Sequence, residues 1–315
     1  MIKYHKSNHY QHDYRDEYAG LPVARVLDTT EQIPLPAADA AAWRLAGSWE
    51  QGEFDGLHLS LKWLSERVDT TRVRALVIGL CLDELGSQGW TVAGYLAERA
   101  AMFPELRSLF IGAITDHEFQ ISFIEHGDVT PVLTAFPKLE RLDVRGGTFE
   151  LDPVRHDSLK TLRLESGGLP PEVVRAVAAS DLPALEHLDL WLGTPEYGGE
   201  TTAADLEPIL TGARLPALRH LGLENSDIQD EIAAAVATAP VVARLESLSL
   251  ALGALGDPGA EALLTGQPLT HLRELDLQHH FLSPEMVARL TRALPGVRLD
   301  LSRRAQAERY IAVAE

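Results

Sequence analysis

A short leucine phrase recurs through this chain and constrains its fold more than any other feature. Residues 182–190 (LPALEHLDL) are followed 33 residues later by residues 215–223 (LPALRHLGL). Both stretches contain the skeleton Leu-x-x-Leu-x-Leu. The skeleton occurs in eight frames, whose second leucines, the marker leucines, are Leu76, Leu109, Leu142, Leu162, Leu188, Leu221, Leu248 and Leu275. A degenerate ninth frame lies at 299–301. Repeats of this kind specify a fold that is built by stacking similar units.

The leucine pattern predicts one short strand per repeat. In Leu-x-Leu, both leucines point to one side of a strand and the residue between them points to the other. A single strand of this type cannot bury its apolar side, whereas stacked parallel copies form a continuous core. Helical patterns separate the strands, at 91–102, 128–136, 170–179, 203–212, 228–239, 258–265 and 284–294. Asp257 and Ser283 each precede a proline and are expected to cap the helix that follows. The chain is therefore predicted to be an α/β solenoid.

On these residues the chain resembles the leucine-rich-repeat family, most closely its ribonuclease-inhibitor-like branch with long helical connections. The resemblance covers residues 70–302. It implies a right-handed solenoid with a curved parallel sheet on the concave face, helices on the convex face, and terminal caps. Glycine often stands where the family has asparagine or cysteine, which predicts a looser turn (Gly147, Gly167, Gly193 and Gly253). The chain also resembles a bacterial group of such proteins, which implies no function.

Four segments are predicted along the chain. Residues 1–20 are expected to form a flexible polar tail, in which His5, His9 and His12 have only adventitious metal affinity. Residues 21–70 are expected to cap the array, with Trp43, Trp49 and Trp63 covering its apolar end. Residues 71–302 are the predicted solenoid. Residues 303–315 are read as a C-terminal cap or tail.

Composition limits the partners that we expect. The 28 basic and 46 acidic residues give a net charge of −18, a field that repels nucleic acid and anionic membrane surfaces. A basic protein or peptide is compatible with this charge, although the charge also serves solubility alone. The sequence has no run of 18 apolar residues, and its first residues are polar, so no membrane span or signal peptide is expected. With its single cysteine, Cys81, the chain is predicted to be cytoplasmic.

The frames also align side chains into three columns on the exposed face of the predicted sheet, with neighbours about 4.8 Å apart. The column just before the marker leucine contains Ala75, Ser108, Arg141, Thr161, His187, His220, Ser247 and Glu274. The column between the two core positions contains Val77, Phe110, Asp143, Arg163, Asp189, Gly222, Ser249 and Asp276. The third column contains Gly79, Gly112, Arg145, Glu165, Trp191, Glu224, Ala251 and Gln278.

These columns predict a non-enzymatic scaffold that binds a protein or peptide through the concave face. The expected binding residues are Arg141, Arg145, Arg163, Glu165, His187, Asp189, Trp191, Tyr197, His220 and Glu224. Tryptophan and arginine are the side chains in which binding energy concentrates, and Tyr197 lies in a loop, 193–202, that a rigid scaffold would present. Two other interpretations stay open: charges that pair with one another and only keep the face hydrated, and a surface for self-association.

His187 and His220 occupy the same column beside Asp189 and Glu224. Two imidazoles and two carboxylates can hold a transition metal, so the alternative function is a metal-binding protein or a metal-dependent enzyme. Without a metal, protonating both rings is unfavourable, and their titration would tune binding near neutral pH. Neither Gly-x-Ser-x-Gly nor His-Glu-x-x-His occurs. We therefore expect neither an enzyme nor a cofactor.

Overall fold

The computed structural model describes residues 16–25, 34–47, 49–50, 53–54, 56–81, 91–305 and 308–314. Two compact units make up the chain, residues 1–150 and residues 151–315, and each is described by itself. The histidines at positions 5, 9 and 12 lie outside the described residues, as does the side chain of Trp49. The predicted segment boundaries stay predictions.

The first unit is built on parallel strands. Its strands are β1 (Glu17–Tyr18), β2 (Leu21–Arg25), β3 (Ala42–Leu45), β4 (Trp49–Glu50), β5 (Glu53–Phe54), β6 (Ala75–Ile78), β7 (Ser108–Ile111), β8 (Glu125–Asp128), β9 (Arg141–Arg145) and β10 (Thr148–Glu150). Its helices are α1 (Leu57–Arg67), α2 (Val92–Glu98) and α3 (Thr130–Ala135). The main strands lie in the order β1-β2-β3-β6-β7-β9, parallel except for the antiparallel pair β1–β2. Two further pairs, β4–β5 and β8–β10, are separate.

The second unit repeats one strand and one helix. Its strands are β11 (Thr161–Glu165), β12 (His187–Gly193), β13 (His220–Ser226), β14 (Ser247–Ser249), β15 (Glu274–Asp276) and β16 (Arg298–Asp300). Its helices are α4 (Pro171–Ala179), α5 (Ala203–Thr211), α6 (Gln229–Val236), α7 (Asp257–Thr265) and α8 (Pro284–Ala293). The strands are all parallel and lie in chain order, β11 to β16. This is a leucine-rich-repeat-like fold.

The predicted register of the leucines is confirmed within each unit. In the first unit Leu76 pairs with Leu109, and Leu109 with Leu142. In the second unit the pairs run from Leu162 through the later marker leucines to Leu299, namely Leu162–Leu188, Leu188–Leu221, Leu221–Leu248, Leu248–Leu275 and Leu275–Leu299. The eight marker leucines are buried, because they form the contact between each strand and the helices that cover it.

Each predicted helical stretch contains a helix, with ends that differ by a few residues. Four of them, α4, α5, α7 and α8, differ from the predicted stretch by one residue at one end. Consecutive helices of the second unit pack against each other, so their apolar sides join the leucine core. In the described part of the chain, no helix reaches the length and apolarity that a membrane span requires.

One of the two predicted helix caps is confirmed and the other is wrong. Ser283 Oγ accepts a hydrogen bond from Met286 N at 3.1 Å, as expected of an N-cap. Asp257 is the first residue of α7, and its Oδ1 instead accepts from Ser283 N at 2.8 Å. The start of α7 is held from the preceding helix, because Asp230 Oδ1 accepts from Gly256 N at 2.8 Å and Gly259 N at 3.1 Å. Caps in this unit therefore also connect neighbouring repeats.

The leucine register predicts that two leucine-to-alanine substitutions lower the free energy of unfolding by different amounts. Leu221→Ala removes a fully buried side chain in the middle of the second unit, and we expect a loss of about 3–5 kcal/mol. Leu299→Ala removes the same group from the half-buried last strand, where the loss should be less than about half as large. Urea unfolding followed by circular dichroism measures both. Equal losses would contradict the difference in burial between the two side chains.

Candidate functional site

Polar side chains of the second unit gather on the side of the strands opposite the leucines. They form the polar cluster: Arg163, Glu165, His187, Asp189, Trp191, His220, Glu224, Ser247 and Ser249. Their positions follow from strand alternation, since each stands one residue from a buried leucine. The pairing of His187 with His220, and of Trp191 with Glu224, brings residues 33 positions apart side by side.

Two stacked imidazoles share one carboxylate at the centre of the cluster. The rings of His187 and His220 lie 3.9 Å apart and within 8° of parallel. Nε2 of His187 is 2.7 Å from Oδ2 of Asp189, and Nε2 of His220 is 2.8 Å from Oδ1. Nδ1 of His220 is 2.6 Å from Ser247 Oγ. Asp189 therefore accepts one hydrogen bond on each oxygen and fixes both rings.

The shared carboxylate separates the proton affinities of the two rings. Burial lowers the pKa of His187 below its usual value, since the charge of Asp189 only partly offsets the loss of solvent. Burial also lowers the pKa of His220, but Asp189, its hydrogen bond and the charge of Glu224 outweigh this effect and leave the pKa raised. Burial would raise the pKa of Asp189, and the two histidines instead hold it well below its usual value. His220 is therefore the ring that takes up a proton first.

Glu224 is a half-buried carboxyl group of the cluster. Trp191 Nε1 donates to Glu224 Oε2 at 2.7 Å, and Ser249 Oγ donates to Oε1. Burial, followed by the negative charge of Asp189, raises the pKa of Glu224 to about 7. Near neutral pH this carboxyl group is thus divided between its protonated and ionised forms.

Arg163 supplies a positive charge within the cluster. Its Nε lies 2.5 Å from Glu165 Oε1, and its Nη1 lies 3.8 Å from Asp189 Oδ2. The guanidinium is also 5.6 Å from the centre of the Trp191 ring, within the range of a cation–π contact. The guanidinium of Arg163 is therefore paired with groups of the same protein.

The structure corrects the expected exposure of four predicted binding residues. Arg163, Glu165, Asp189 and Trp191 are buried, with Trp191 only 1% exposed. The expectation that Trp191 is an accessible aromatic anchor is therefore wrong. Side chains in adjacent columns satisfy one another, which is the charge-pairing alternative that the sequence analysis left open. Of the predicted residues in the cluster, His187, His220 and Glu224 remain half-buried.

Two predicted binding residues belong to the first unit. Arg141 donates to both oxygens of buried Asp143, at 2.6 and 2.8 Å, and Tyr18 Oη donates to Oδ2 at 2.8 Å. Arg145 is buried, contrary to the predicted exposed column. Tyr18 was missed because residues 1–20 read as a polar tail, whereas it lies in β1 with its ring buried.

Tyr197 lies on a loop outside the polar cluster. It ends a single helical turn, Pro195–Tyr197, and is half-buried. The loop docks on the turn of the preceding repeat, where Thr194 N donates to Gly167 O at 2.9 Å. A Cβ on Gly168 would lie 2.1 Å from Tyr197 O, so this close approach requires glycine. The glycines of this turn therefore serve packing.

A row of accessible polar groups borders the cluster. The first residues of β12 to β16 pair in register and form the polar stripe: His187, His220, Ser247, Glu274 and Arg298. The first four are half-buried and Arg298 is exposed. Glu274 and Arg298 form an ion pair. An approaching molecule can reach the stripe.

A metal would have to rearrange the histidine pair. Donor atoms of His187, Asp189 and His220 lie within 4.8 Å of one another, and this is the group of potential ligands found among the described residues. An imidazole binds a metal along a nitrogen lone pair that lies in the plane of its ring. Two nearly parallel stacked planes share no such point, so one ring must rotate before both can bind one ion. The observed geometry suits hydrogen bonding better.

Glu224 gives the site a pH dependence that can be measured. A carboxyl group with a raised pKa binds its proton more tightly in the folded state, so stability falls as pH rises from 4.5 to about 7. A shift of this size corresponds to ~3 kcal/mol, and solvent contact at the half-buried carboxyl reduces it to about 1–2 kcal/mol. We expect Glu224→Gln to remove this loss while keeping the contacts to Trp191 and Ser249.

Urea unfolding at about pH 4.5 and pH 8 measures the difference between the variant and the wild type. The advantage of Glu224→Gln should grow by about 1–2 kcal/mol between the two pH values. Glu196→Gln, on the exposed part of the loop, controls for the loss of one carboxyl group. A difference that is the same at both pH values would show that Glu224 titrates normally.

Comparisons with known proteins add a relative of similar structure. No protein-family model matches the chain, and a search of curated proteins gives no match. A Bacteroides fragilis protein, solved by the Northeast Structural Genomics Consortium, is 30% identical with a TM-score of 0.71, over 78% of this chain and 70% of that one. A Listeria monocytogenes internalin is 16% identical with a TM-score of 0.41, over 76% of this chain and 56% of that one, a likeness too weak for inference.

The Bacteroides fragilis protein is similar to this chain in both sequence and structure. Its similarity extends over more than two thirds of both chains, which is far more than one shared repeat would give. The chain therefore belongs to the same family as this Bacteroides fragilis protein.

Proposed function

We propose that the chain is a non-enzymatic scaffold that binds a protein or peptide through the polar stripe of its second unit. One observation supports this function above the others. Five polar side chains stand in register at the first positions of five adjacent parallel strands, and none of them is fully buried. A row of polar groups about 4.8 Å apart offers hydrogen-bonding and charged groups along a continuous line to a protein or peptide.

The buried part of the cluster holds the stripe in place. Asp189 fixes the rings of His187 and His220, and Ser247 is hydrogen-bonded to His220. Side chains that are already ordered lose little conformational entropy when a partner binds. Buried Arg163, Glu165 and Trp191 then act by supporting the residues that make contact. Direct contact is assigned to His187 and His220, together with Ser247, Glu274 and Arg298.

Charge favours a basic partner. The chain carries a net charge of −18, and the carboxylates of Asp189 and Glu274 lie within or beneath the stripe. The one arginine of the stripe is paired with Glu274. A segment rich in lysine or arginine would complement this surface and associate faster at low salt.

Several finer expectations stay predictions alongside this proposal. They concern the ribonuclease-inhibitor-like branch, the right-handed turn of the solenoid, its terminal caps, a cytoplasmic location and the exclusion of nucleic acid. The predicted contacts of Arg141, Arg145, Tyr197 and Glu224 with a partner belong with them.

The stripe can be tested with two variants that change charge equally. Ser247→Arg/Glu274→Arg adds three positive charges to the stripe, and Thr291→Arg/Glu285→Arg adds three to exposed positions of α8. The wild type is used to isolate a partner from cells, and the purified partner is then titrated against all three proteins. We expect the stripe variant to bind at least about tenfold more weakly and the α8 variant to bind like the wild type. An unchanged Kd for the stripe variant would refute the proposed surface.

The second candidate function is metal binding, favoured by the close donor atoms of His187, Asp189 and His220. It requires the rotation of one ring and the loss of at least one Nε2 proton. Because the observed hydrogen bonds favour the unrotated pair, we expect zinc to bind weakly.

Metal analysis decides between the two functions. Protein purified without chelators should contain less than about a tenth of an equivalent of zinc, nickel, cobalt, copper or iron, measured by inductively coupled plasma mass spectrometry. About one equivalent, lost in His220→Asn and retained in His271→Asn, would establish the metal site. His271 is a suitable control because it lies outside the cluster and is exposed.

A further inference from the structure

Three residues at or just past the carboxyl ends of three adjacent strands of the second unit share an unusual backbone conformation. Asn225, Leu252 and His279 have φ values of 54°, 68° and 56°, and each stands four positions after a marker leucine. The left-handed region is unfavourable for residues with a Cβ, by about 1–2 kcal/mol, and such residues cluster at ligand clamps. Leu252 is the strongest case, because asparagine and histidine tolerate this region better than leucine does. We call these three residues the ledge.

A segment from further along the chain lies on the ledge. Residues 308–314, the strap, run back across the repeats. His279 Nε2 donates to Tyr310 O at 3.0 Å, and Ala312 N donates to Leu252 O at 2.8 Å. Asn225 binds one residue twice, since Val313 N donates to Oδ1 at 3.0 Å and Nδ2 donates to Val313 O at 2.6 Å. Each left-handed residue thus presents one or two groups to the strap.

The ledge recognises main chain more than side chains. Four strap atoms in these hydrogen bonds are backbone atoms, on Tyr310, Ala312 and Val313. With the strap in place Asn225 is fully buried, and the strap supplies the partners that its buried amide requires. Hydrogen bonds to the main chain of a bound segment give affinity that does not depend on its side chains, as in other modes of peptide recognition.

Two strap side chains add a simple sequence preference. The Tyr310 ring makes edge contacts with His279 and Phe281, at centroid distances of 5.0 and 5.4 Å. Ile311 is buried, at 7% exposed. The ledge therefore accepts an aromatic residue followed by an aliphatic one, and then small residues whose main chain it binds.

The strap is held less firmly than the strands beside it. Tyr310 is 53% exposed and Ile311 is its one buried side chain. Its ion pair, Arg309 with Asp230, is at the surface, where such pairs contribute little. Segments with few buried apolar contacts open locally without global unfolding.

We propose that the ledge is a binding site for an extended peptide, which residues 308–314 occupy as an internal ligand. A partner segment with an aromatic residue, an aliphatic residue and two or three small residues binds there when the strap is released. This site lies past the carboxyl ends of the strands, whereas the polar stripe lies at their amino ends. The ledge can therefore bind a peptide even if the stripe binds nothing.

The first test supplies the strap as a separate peptide. A fluorescein-labelled peptide of residues 308–314 is titrated against the full wild-type chain and against Tyr310→Ala/Ile311→Asp, whose own strap is released. We expect fluorescence anisotropy to show binding to the variant that is at least about tenfold tighter than to the wild type. The peptide carrying Val313→Pro, which lacks the N–H that Asn225 accepts, should not bind.

Equal binding of the peptide to both proteins would place it elsewhere and overturn the proposal. No binding to a folded Tyr310→Ala/Ile311→Asp variant would overturn it as well. Far-ultraviolet circular dichroism and a cooperative thermal transition establish that the variant is folded.

The second test uses the wild type and needs no variant. Amide hydrogen exchange should show the N–H groups of Ala312 and Val313 exchanging at least about 100-fold faster than those of β13, because the strap opens locally. Exchange of the strap at the rate of β13 would mean that the ledge is released only by global unfolding. That result would overturn the proposal even if the variant failed to fold.

Discussion

The parallel register of the marker leucines is the contact on which the rest of this structure depends. Each leucine of the second unit is buried against the equivalent leucine of the next strand, so no strand can slip without exposing its apolar side. A shift by one residue would exchange the two faces completely. The same constraint fixes every polar column on the opposite side, and it is why His187 and His220, 33 residues apart, lie ring against ring. The leucine register therefore determines which side chains are available on the opposite face.

Asp189 organises that polar side. Its carboxylate accepts hydrogen bonds from two histidines and lies near Arg163, so removing it would leave several buried polar groups unsatisfied at once. A buried charge of this kind adds little net stability, but it selects one arrangement among many. The charge of Asp189 raises the pKa values of both His220 and Glu224. As a result, His220 gains its positive charge more easily, and Glu224 gains its negative charge less easily. The ionisation of the half-buried His220 and Glu224 is therefore coupled through Asp189.

Much of the fold could be predicted from the sequence, and less of the site. The spacing of the repeats and the alternation of apolar and polar residues identified the strands, their register and the helices, because the same pattern recurs in each repeat. Column membership also placed His187 beside His220 correctly. It did not predict that Trp191 and Arg163 are buried, because a column gives the neighbours of a side chain but not its rotamer or its cover. Tyr18 was missed for a related reason, since its partners Asp143 and Arg141 lie more than 120 residues away. The cap expected at Asp257 was wrong because Asp230 of the preceding repeat holds that helix start.

The two ends of the strands in the second unit offer different chemistry, and the repeat explains why. At the amino ends, the first residue of each strand projects a side chain, so the surface there is a row of side-chain types that can vary without disturbing the core. At the carboxyl ends of β13, β14 and β15, the chain passes through a left-handed residue, and each of these residues presents a side-chain or main-chain group to the strap. Glycine would adopt that conformation with less strain, yet Asn225, Leu252 and His279 stand there. Two of them use side chains that glycine lacks to bind the strap. At Asn225 and His279 the left-handed conformation is therefore combined with a side chain that binds the strap, which is the pattern expected of a peptide clamp.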